Sequence, residues 1–445
     1  MSPKISPKTS NGGNLVIING TTSKWYKIHQ HSYQMDEWSF PEIIDRGARA
    51  GTHIEFNTTF GNDINNDAGE VTYELEGTTN AMSFTIQARC VNNEFFLQVH
   101  FKNISTTSHD KGSICKIGWE HNGTVYFVLS YIERSYISSC DLIASDWMQN
   151  SPLQVQNTKL KELCMPGTHD SGMSFYTADT THARHCNTVT QYKGIFEQLE
   201  MGARYFDVRP VLYKNDFYTG HYGNTNTPVG WQGANGQSIS SIINEVNSFT
   251  ASHKELIILN FSHALNRDNN YWDFTKDDWN KLIAKLSSIK NLYCIENYKK
   301  QDLTEKYLNS FIYKQASVLL IFEGKNIDLG NKEGLGFFYH SDFNTYNSYS
   351  DTEDVSYMIS DQTEKMNKQT PGRHFLLSWT LTQSAINAIS CWSSILQLAT
   401  TANWELYRAY DNTTKNHYPN ILYIDGMKDT SAAAISIAIN SYLHP

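Results

Sequence analysis

The stretch Leu163–Ser171, LCMPGTHDS, decides how the rest of the chain reads. It closes an apolar run, breaks at Pro166-Gly167, and then sets Thr168, His169, Asp170 and Ser171 side by side. A Pro-Gly pair after apolar residues ends a strand and turns the chain. A histidine just past such a turn stands at a strand mouth, where barrel and open-sheet enzymes keep their chemistry. Two later stretches are placed to meet it: Gly202–Pro210, GARYFDVRP, and Tyr218–Gly223, YTGHYG.

Working outward from there, apolar strand-like runs alternate with helical ones from about residue 140 to the end. The strand candidates are KELCMPG (161–167), ARYFDVRPV (203–211), DFYTGH (216–221), ELIILNFS (255–262), SVLLIFEG (317–324), GFFYH (336–340), HFLLSWTL (374–381) and NILYIDG (420–426). Helical periodicity lies between them, over 190–202, 238–253, 275–289, 304–314, 352–368, 385–410 and 429–443. Runs such as LIILNF and VLLIF have no polar face, which marks strands covered on both sides and hence a parallel sheet. About eight such units predict a (β/α)8 TIM-type barrel over 141–445, distorted where GFFYH makes a weak strand.

Upstream the texture is different. Residues 1–13 are rich in Pro, Ser, Lys and Gly and read as a disordered N-terminus. Residues 14–140 carry short alternating runs, from LVIING (15–20) to TVYFVLSYIE (124–133), separated by Asn, Gly and Asp. That spacing predicts an all-β sandwich. Its aromatics, among them Trp25, Trp38, Phe95 and Trp119, read first as core and sheet face. A lipid- or glycan-binding module is the sharper alternative.

At 445 residues the chain is too long for one ordinary core, and two domains are expected. The net charge of -9, with no long basic run, argues against a nucleic-acid partner. No stretch of about 18 apolar residues predicts a transmembrane segment. No apolar leader precedes Asn14, so the cytoplasm or a membrane periphery is favoured over secretion. Seven scattered cysteines without a C-x-x-C pair read as reduced thiols. The alternative is a disulfide between two of the N-terminal cysteines, should the protein be exported.

The chemistry gathers at strand ends. The first ends in His169-Asp170, the second carries Asp207 and Arg209 on one face, the third ends at His221, and the last ends at Asp425. Arg204 is out of phase with Asp207 and Arg209 and reads as structural. Two histidines can serve as base and acid on opposite sides of a phosphorus atom. An arginine can neutralise the phosphoryl oxygens, and a carboxylate behind a histidine fixes its tautomer. That set performs internal phosphodiester cleavage with no cofactor and no metal. The rival is a zinc or calcium site made by His169, Asp170, Asp207 and His221, against which the fixed charge of Arg209 argues.

PGTHDSG (166–172), EQLEMGARYFDVRP (197–210) and GHYG (220–223), in that order and spacing, resemble the phosphatidylinositol-specific phospholipase C X-domain family. The likeness covers about residues 145–445. It is nearer the bacterial-type, metal-independent branch, because Asp170 and Arg209 stand where the calcium-dependent enzymes have other residues. The resemblance implies that His169 is the general base toward the inositol 2-hydroxyl and His221 the general acid toward the diacylglycerol oxygen. It implies that Arg209 binds phosphate in place of calcium, and that Asp170 supports the arginine or the leaving-group side. Asp425 would partner His169, and Asp207 would support His221 or Arg209. The products would be a cyclic inositol phosphate and diacylglycerol. For the headgroup, Ser262 or His263 stands where the family often has a basic residue; Glu323 and Trp379 are further candidates.

Two alternatives go with this reading. One is a metal-dependent phosphodiesterase acting on another phospholipid headgroup. The other is a lipid- or glycan-binding protein whose barrel is not catalytic. The expected partner is a phospholipid substrate at a membrane surface, met by the sandwich or by rim aromatics such as Phe337, Phe338 and Tyr339. The sequence leaves the oligomeric state open.

Overall fold

The computed structural model describes residues 11–78, 80–132, 134–225 and 228–444. The chain forms two compact units that part between Leu142 and Ile143.

The first unit is built of strands. A five-stranded sheet runs in the order Ser135–Ser138, Thr124–Ile132, Asn11–Gly20, Arg49–Phe56, Met35–Trp38. A six-stranded sheet runs from Ile43–Ile44 through Trp25–Tyr33, Ala68–Leu75, Ser83–Val91 and Glu94–His100 to Ile114–Gly118. Alternation explains the core: Leu15 and Ile17, Ile54 and Phe56, Val71 and Tyr73, and Phe84 and Ile86 point inward and join one apolar cluster. Of the N-terminal stretch read as disordered, residues 11–13 are strand, with Asn11 opposite Phe56. Residues 1–10 and Glu133 lie outside the described residues.

The second unit is organised on seven parallel strands: β1 (Met165–Thr168), β2 (Tyr205–Val208), β3 (Leu256–Phe261), β4 (Ser317–Phe322), β5 (Phe337–Tyr339), β6 (Leu376–Trp379) and β7 (Ile421–Ile424). Their order in the sheet is β5-β4-β3-β2-β1-β7-β6. Strands β3 and β4, the all-apolar runs, are buried at every position. The eight-stranded closed barrel is not what forms. Among the described residues no ladder joins β5 to β6, and the sheet stays open.

The missing strand has a local cause. DFYTGH was expected in the parallel sheet, but Lys214 and Asn215 both take positive φ, 52° and 58°. That two-residue turn sends the chain straight back as a hairpin. Asp216–Asn224 therefore pairs antiparallel with Pro210–Tyr213 and Trp231–Ser238, in a separate five-stranded sheet. His221 consequently sits within a hairpin strand rather than at a parallel strand's end.

Helices cover the sheet where the sequence supplies caps and an apolar stripe. Lys276–Leu286 begins with a reciprocal Thr275–Asp278 capping box and buries Trp279, Leu282, Ile283 and Leu286. The long helix expected over 385–410 is three pieces, Ala385–Ser390, Ile395–Trp404 and Tyr407–Asp411. The first break falls at Cys391, which has φ 56° and is bonded to Cys186. The thiols are thus not all reduced: Cys115–Cys140 and Cys186–Cys391 are disulfides, and Cys90, Cys164 and Cys294 are free. Separations of 25 and 205 residues match no short motif, so only the fold reveals these pairs.

Candidate active site

Pro166 and Gly167 do not end β1; both lie inside it. A Cβ on Gly167 would come 2.7 Å from Ile421 Cγ2, so glycine is required there for close strand packing and not for a turn. The turn comes at Asp170, whose φ is 41°. It is held by backbone bonds from His169 N–H to Ile424 O and from Ser171 N–H to Asp207 O.

Two imidazole–carboxylate pairs result. His169 Nδ1 is 2.8 Å from Asp425 Oδ1, and His221 Nδ1 is 2.8 Å from Asp170 Oδ2. Each carboxylate is an acceptor, so each ring carries its proton on Nδ1 and leaves Nε2 for other partners. Arg209 lies between the pairs. Its Nη2 is 2.7 Å from His169 Nε2, and its Nη1 is 3.8 Å from Asp170 Oδ2. Asp170 is fully buried, and among the described residues its Oδ1 has no hydrogen-bond partner.

Asp207 is the anchor beneath them. It accepts from Arg209 Nε (3.0 Å), Tyr423 Oη (2.8 Å), Ser262 Oγ (2.9 Å) and the Asp170 N–H (3.2 Å). Burial opposes its charge, but Arg209 and then His169 outweigh that and hold its pKa well below the usual carboxylate range. The same partnership raises Arg209, against the penalty of burial. For His169, burial also works against charge, yet Asp425 prevails over it and over the opposing Arg209, leaving the pKa above 6.5.

The remaining sequence candidates divide. Ser262 spends its single proton on Asp207, so it accepts from His263 Nδ1 at 2.8 Å. His263 is exposed at the mouth with φ 52°; desolvation and then the Arg209 charge lower its pKa. Glu323 is exposed just past β4 and is among the charges that act on His263. Trp379 does not join them. Its indole is buried, and Nε1–H donates to Ala402 O of the Ile395–Trp404 helix, so it faces the helix layer. Arg204 is a buried structural residue, 2.8 Å from Glu255.

Residues missed in the sequence support the two pairs. Tyr423 stands two before Asp425 on β7 and so shares its face; that phase was the available signal. Gln191 Nε2 donates to the carbonyls of His169 and Ile424, and Thr190 Oγ1 to that of Asp170. Their positions in the chain carry no such signal. GHYG depends on glycines elsewhere: a Cβ on Gly233, at φ 152°, would lie 2.0 Å from His221 O.

The donor set does not suit a divalent ion. A metal held by His169 and Asp207 would share space with the Arg209 guanidinium that bonds both. Among the described residues, three potential ligand atoms converge at Glu37–His53–Glu55, outside this site; at His109–Cys115–Asp141 the sulfur is committed to the Cys115–Cys140 disulfide.

No family model matches the chain. The PI-PLC X domain-containing protein 3 of Bos taurus is 27% identical over 195 residues, covering 38% of this chain and 55% of that protein. The human protein of the same name is 26% identical over 195 residues with the same coverage. The chain resembles the PI-PLC X-domain proteins. A PI-PLC X-box domain-containing protein of Dictyostelium discoideum is 25% identical over 187 residues, 37% of this chain and 23% of that one. The chain thus spans about half, or less, of the length of these PI-PLC X-domain relatives. Among solved structures, the phosphatidylinositol-specific phospholipase C of Listeria monocytogenes overlaps 67% of this chain and 99% of its own, at 19% identity and TM-score 0.48. That of Staphylococcus aureus overlaps 67% and 97%, at 16% identity and TM-score 0.46.

Proposed function

We propose that the second unit is a metal-independent phosphatidylinositol phosphodiesterase of the lyase type. The observation that carries this reading is the pair of imidazole–carboxylate couples, His169–Asp425 and His221–Asp170, on either side of one arginine. Neutral His169 takes the proton of the inositol 2-hydroxyl at Nε2, and the oxygen attacks the adjacent phosphorus. For that, Arg209 Nη2 must leave Nε2, and the phosphoryl oxygen of the substrate is the acceptor that draws it away. Protonated His221, held through Nδ1 by Asp170, gives its Nε2 proton to the glycerol oxygen as the phosphorus–oxygen bond breaks. Cyclic inositol phosphate and diacylglycerol leave, and the two histidines have exchanged protonation states. His263 and Glu323 are exposed and would face the headgroup ring, with Ser262 buried behind His263.

Turnover of phosphatidylinositol vesicles in excess chelator tests this reading. The wild type should turn over, and His169→Ala and His221→Ala should not. Wild-type-like rates in either variant, or activity only with added calcium or zinc, would remove it.

Access to lipid is also part of the proposal. Phe337 and Phe338 are buried, and Tyr339 Oη accepts from Leu329 N–H, so this trio forms no rim. The exposed apolar side chains follow β6 instead: Ile386 (68%), Ile389 (73%) and Trp392 (81%). No Asp, Glu, Lys or Arg occurs over residues 381–394. Asn187 Nδ2 donates to Ala388 O at 2.7 Å, and Cys391 is bonded to Cys186. Among the described residues no helix is long and apolar enough to cross a membrane. Contact through this loop would therefore be peripheral and driven by apolar area.

A further inference from the structure

The first unit carries a cluster that phosphodiester chemistry does not use. On the Arg49–Phe56 strand, Ile54 and Phe56 enter the core, so His53 and Glu55 share the opposite face. The neighbouring strand, Met35–Trp38, lies at the sheet's edge and sets Glu37 opposite Glu55. A register shift between Met35 and Glu37 brings this about; such bulges re-aim side chains. One ligand atom from each of Glu37, His53 and Glu55 lies within 4.8 Å of the other two.

With His53 neutral, the charges of Glu37 and Glu55 are not offset within the cluster. Asn14 Oδ1 is 3.3 Å from His53 Nδ1; an amide oxygen only accepts, so the ring proton is on Nδ1. In the neutral ring Nε2 then presents a lone pair, 3.8 Å from Glu55 Oε2. Two carboxylates and a lone pair converge, and like charges directly opposite on a sheet repel. Glu55 is only 8% exposed. Among the described residues no Lys or Arg pairs with Glu37 or Glu55, and neither side chain accepts a hydrogen bond. The space is also kept clear: Gly12 faces Glu55 across the other ladder, and a Cβ there would come 2.8 Å from His53 Nε2.

We propose that Glu37, His53 and Glu55 form a divalent-cation site that takes zinc. One neutral imidazole whose far nitrogen is held by an amide, together with two carboxylates, is a zinc donor set. Zinc bonds of about 2.0–2.2 Å put neighbouring ligand atoms roughly 3.3–3.5 Å apart, so the 3.8 Å pair closes slightly on binding. Three protein ligands leave a fourth position for water. The ion would bridge the edge strand to its neighbour and neutralise the facing carboxylates, and so stabilise the folded unit.

The test is calorimetric titration of chelator-treated full-length protein with zinc chloride, with a thermal melt at each end point. The wild type should take one zinc at this site and melt higher with it. Glu37→Gln and His53→Ala should weaken that event about tenfold or more and remove the thermal shift. His169→Ala, in the second unit, should keep both. X-ray absorption of the zinc form should show nitrogen and oxygen ligands and no sulfur. Unchanged zinc uptake in both cluster variants, no uptake by the wild type, or sulfur around the bound zinc would overturn the proposal. Glu37 is exposed, so loss in that variant cannot be ascribed to a damaged core.

Discussion

Arg209 places Nη2 2.7 Å from Nε2 of His169 while its Nε bonds Asp207 at 3.0 Å. A guanidinium has no acceptor to offer, so Nε2 must be the acceptor and His169 must be neutral in this arrangement. In the proposed mechanism, the side chain that would bind phosphate therefore also holds His169 in the protonation state a general base needs.

The pH profile follows from that state. His169 acts as a base only when deprotonated, and its pKa lies above 6.5 because Asp425 outweighs burial. With His169 as base, kcat/KM should rise with pH through a value above 6.5. Asp425→Asn should move that ascending limb to lower pH and reduce the maximum. An ascending limb at the same position in Asp425→Asn would show that another group titrates.

Arg209→Lys keeps the charge but loses the fork. Lysine cannot hold Asp207 and also present two donors to the phosphoryl oxygens. Turnover should fall by about 10²-fold or more, with a smaller change in KM, if the arginine stabilises developing charge. Steady-state kinetics on vesicles decides it, and near-wild-type kcat would contradict the role.

Tyr423→Phe isolates the support beneath the site. It removes one of four donors to Asp207 without changing the apolar ring, which sits 5.6 Å from the His169 ring. A hydrogen bond to a charged, buried group is worth roughly 1.5–3 kcal/mol, and urea unfolding should show a loss of that order. No change in the midpoint would mean that Asp207 is held well enough by its other donors.

How much of this was legible depends on whether the cause is local. β3 and β4 are apolar throughout, and their burial could be read directly from LIILNF and VLLIF. His169 and Asp425 could be singled out because they end strand-like runs, and Asp207 and Arg209 because strand phase puts them on one face. The resemblance paired Asp425 with His169, as the structure does; that Asp170 serves His221 could not be read, since the Asp170 turn and the hairpin strand that carries His221 decide it jointly. The loss of DFYTGH from the parallel sheet rests on positive φ at Lys214 and Asn215, residues that read as an ordinary loop. Trp379 was misplaced because a strand end gives two faces, and its indole takes the one toward Ala402. Cys115–Cys140 fits the alternative of a bond between two N-terminal cysteines, whereas Cys186–Cys391 lay beyond reach because the two meet only through the fold.

Membrane contact makes a separate prediction. Burying a side chain such as Trp or Ile is worth about 1.5–3 kcal/mol, roughly tenfold or more in partitioning. Trp392→Ala and Ile389→Ser should lower binding and turnover on phosphatidylcholine-containing vesicles by that factor. Activity on a soluble short-chain substrate should be unchanged. Equal losses on both substrates would mean that the loop shapes the site instead of docking it.

Phosphorus NMR of the full-length protein with phosphatidylinositol in excess chelator tests the central claim most directly. A cyclic phosphodiester resonance should appear first, because the proposed mechanism runs through internal attack by the 2-hydroxyl. An acyclic phosphate as the first product, or turnover only after calcium is added, would contradict it.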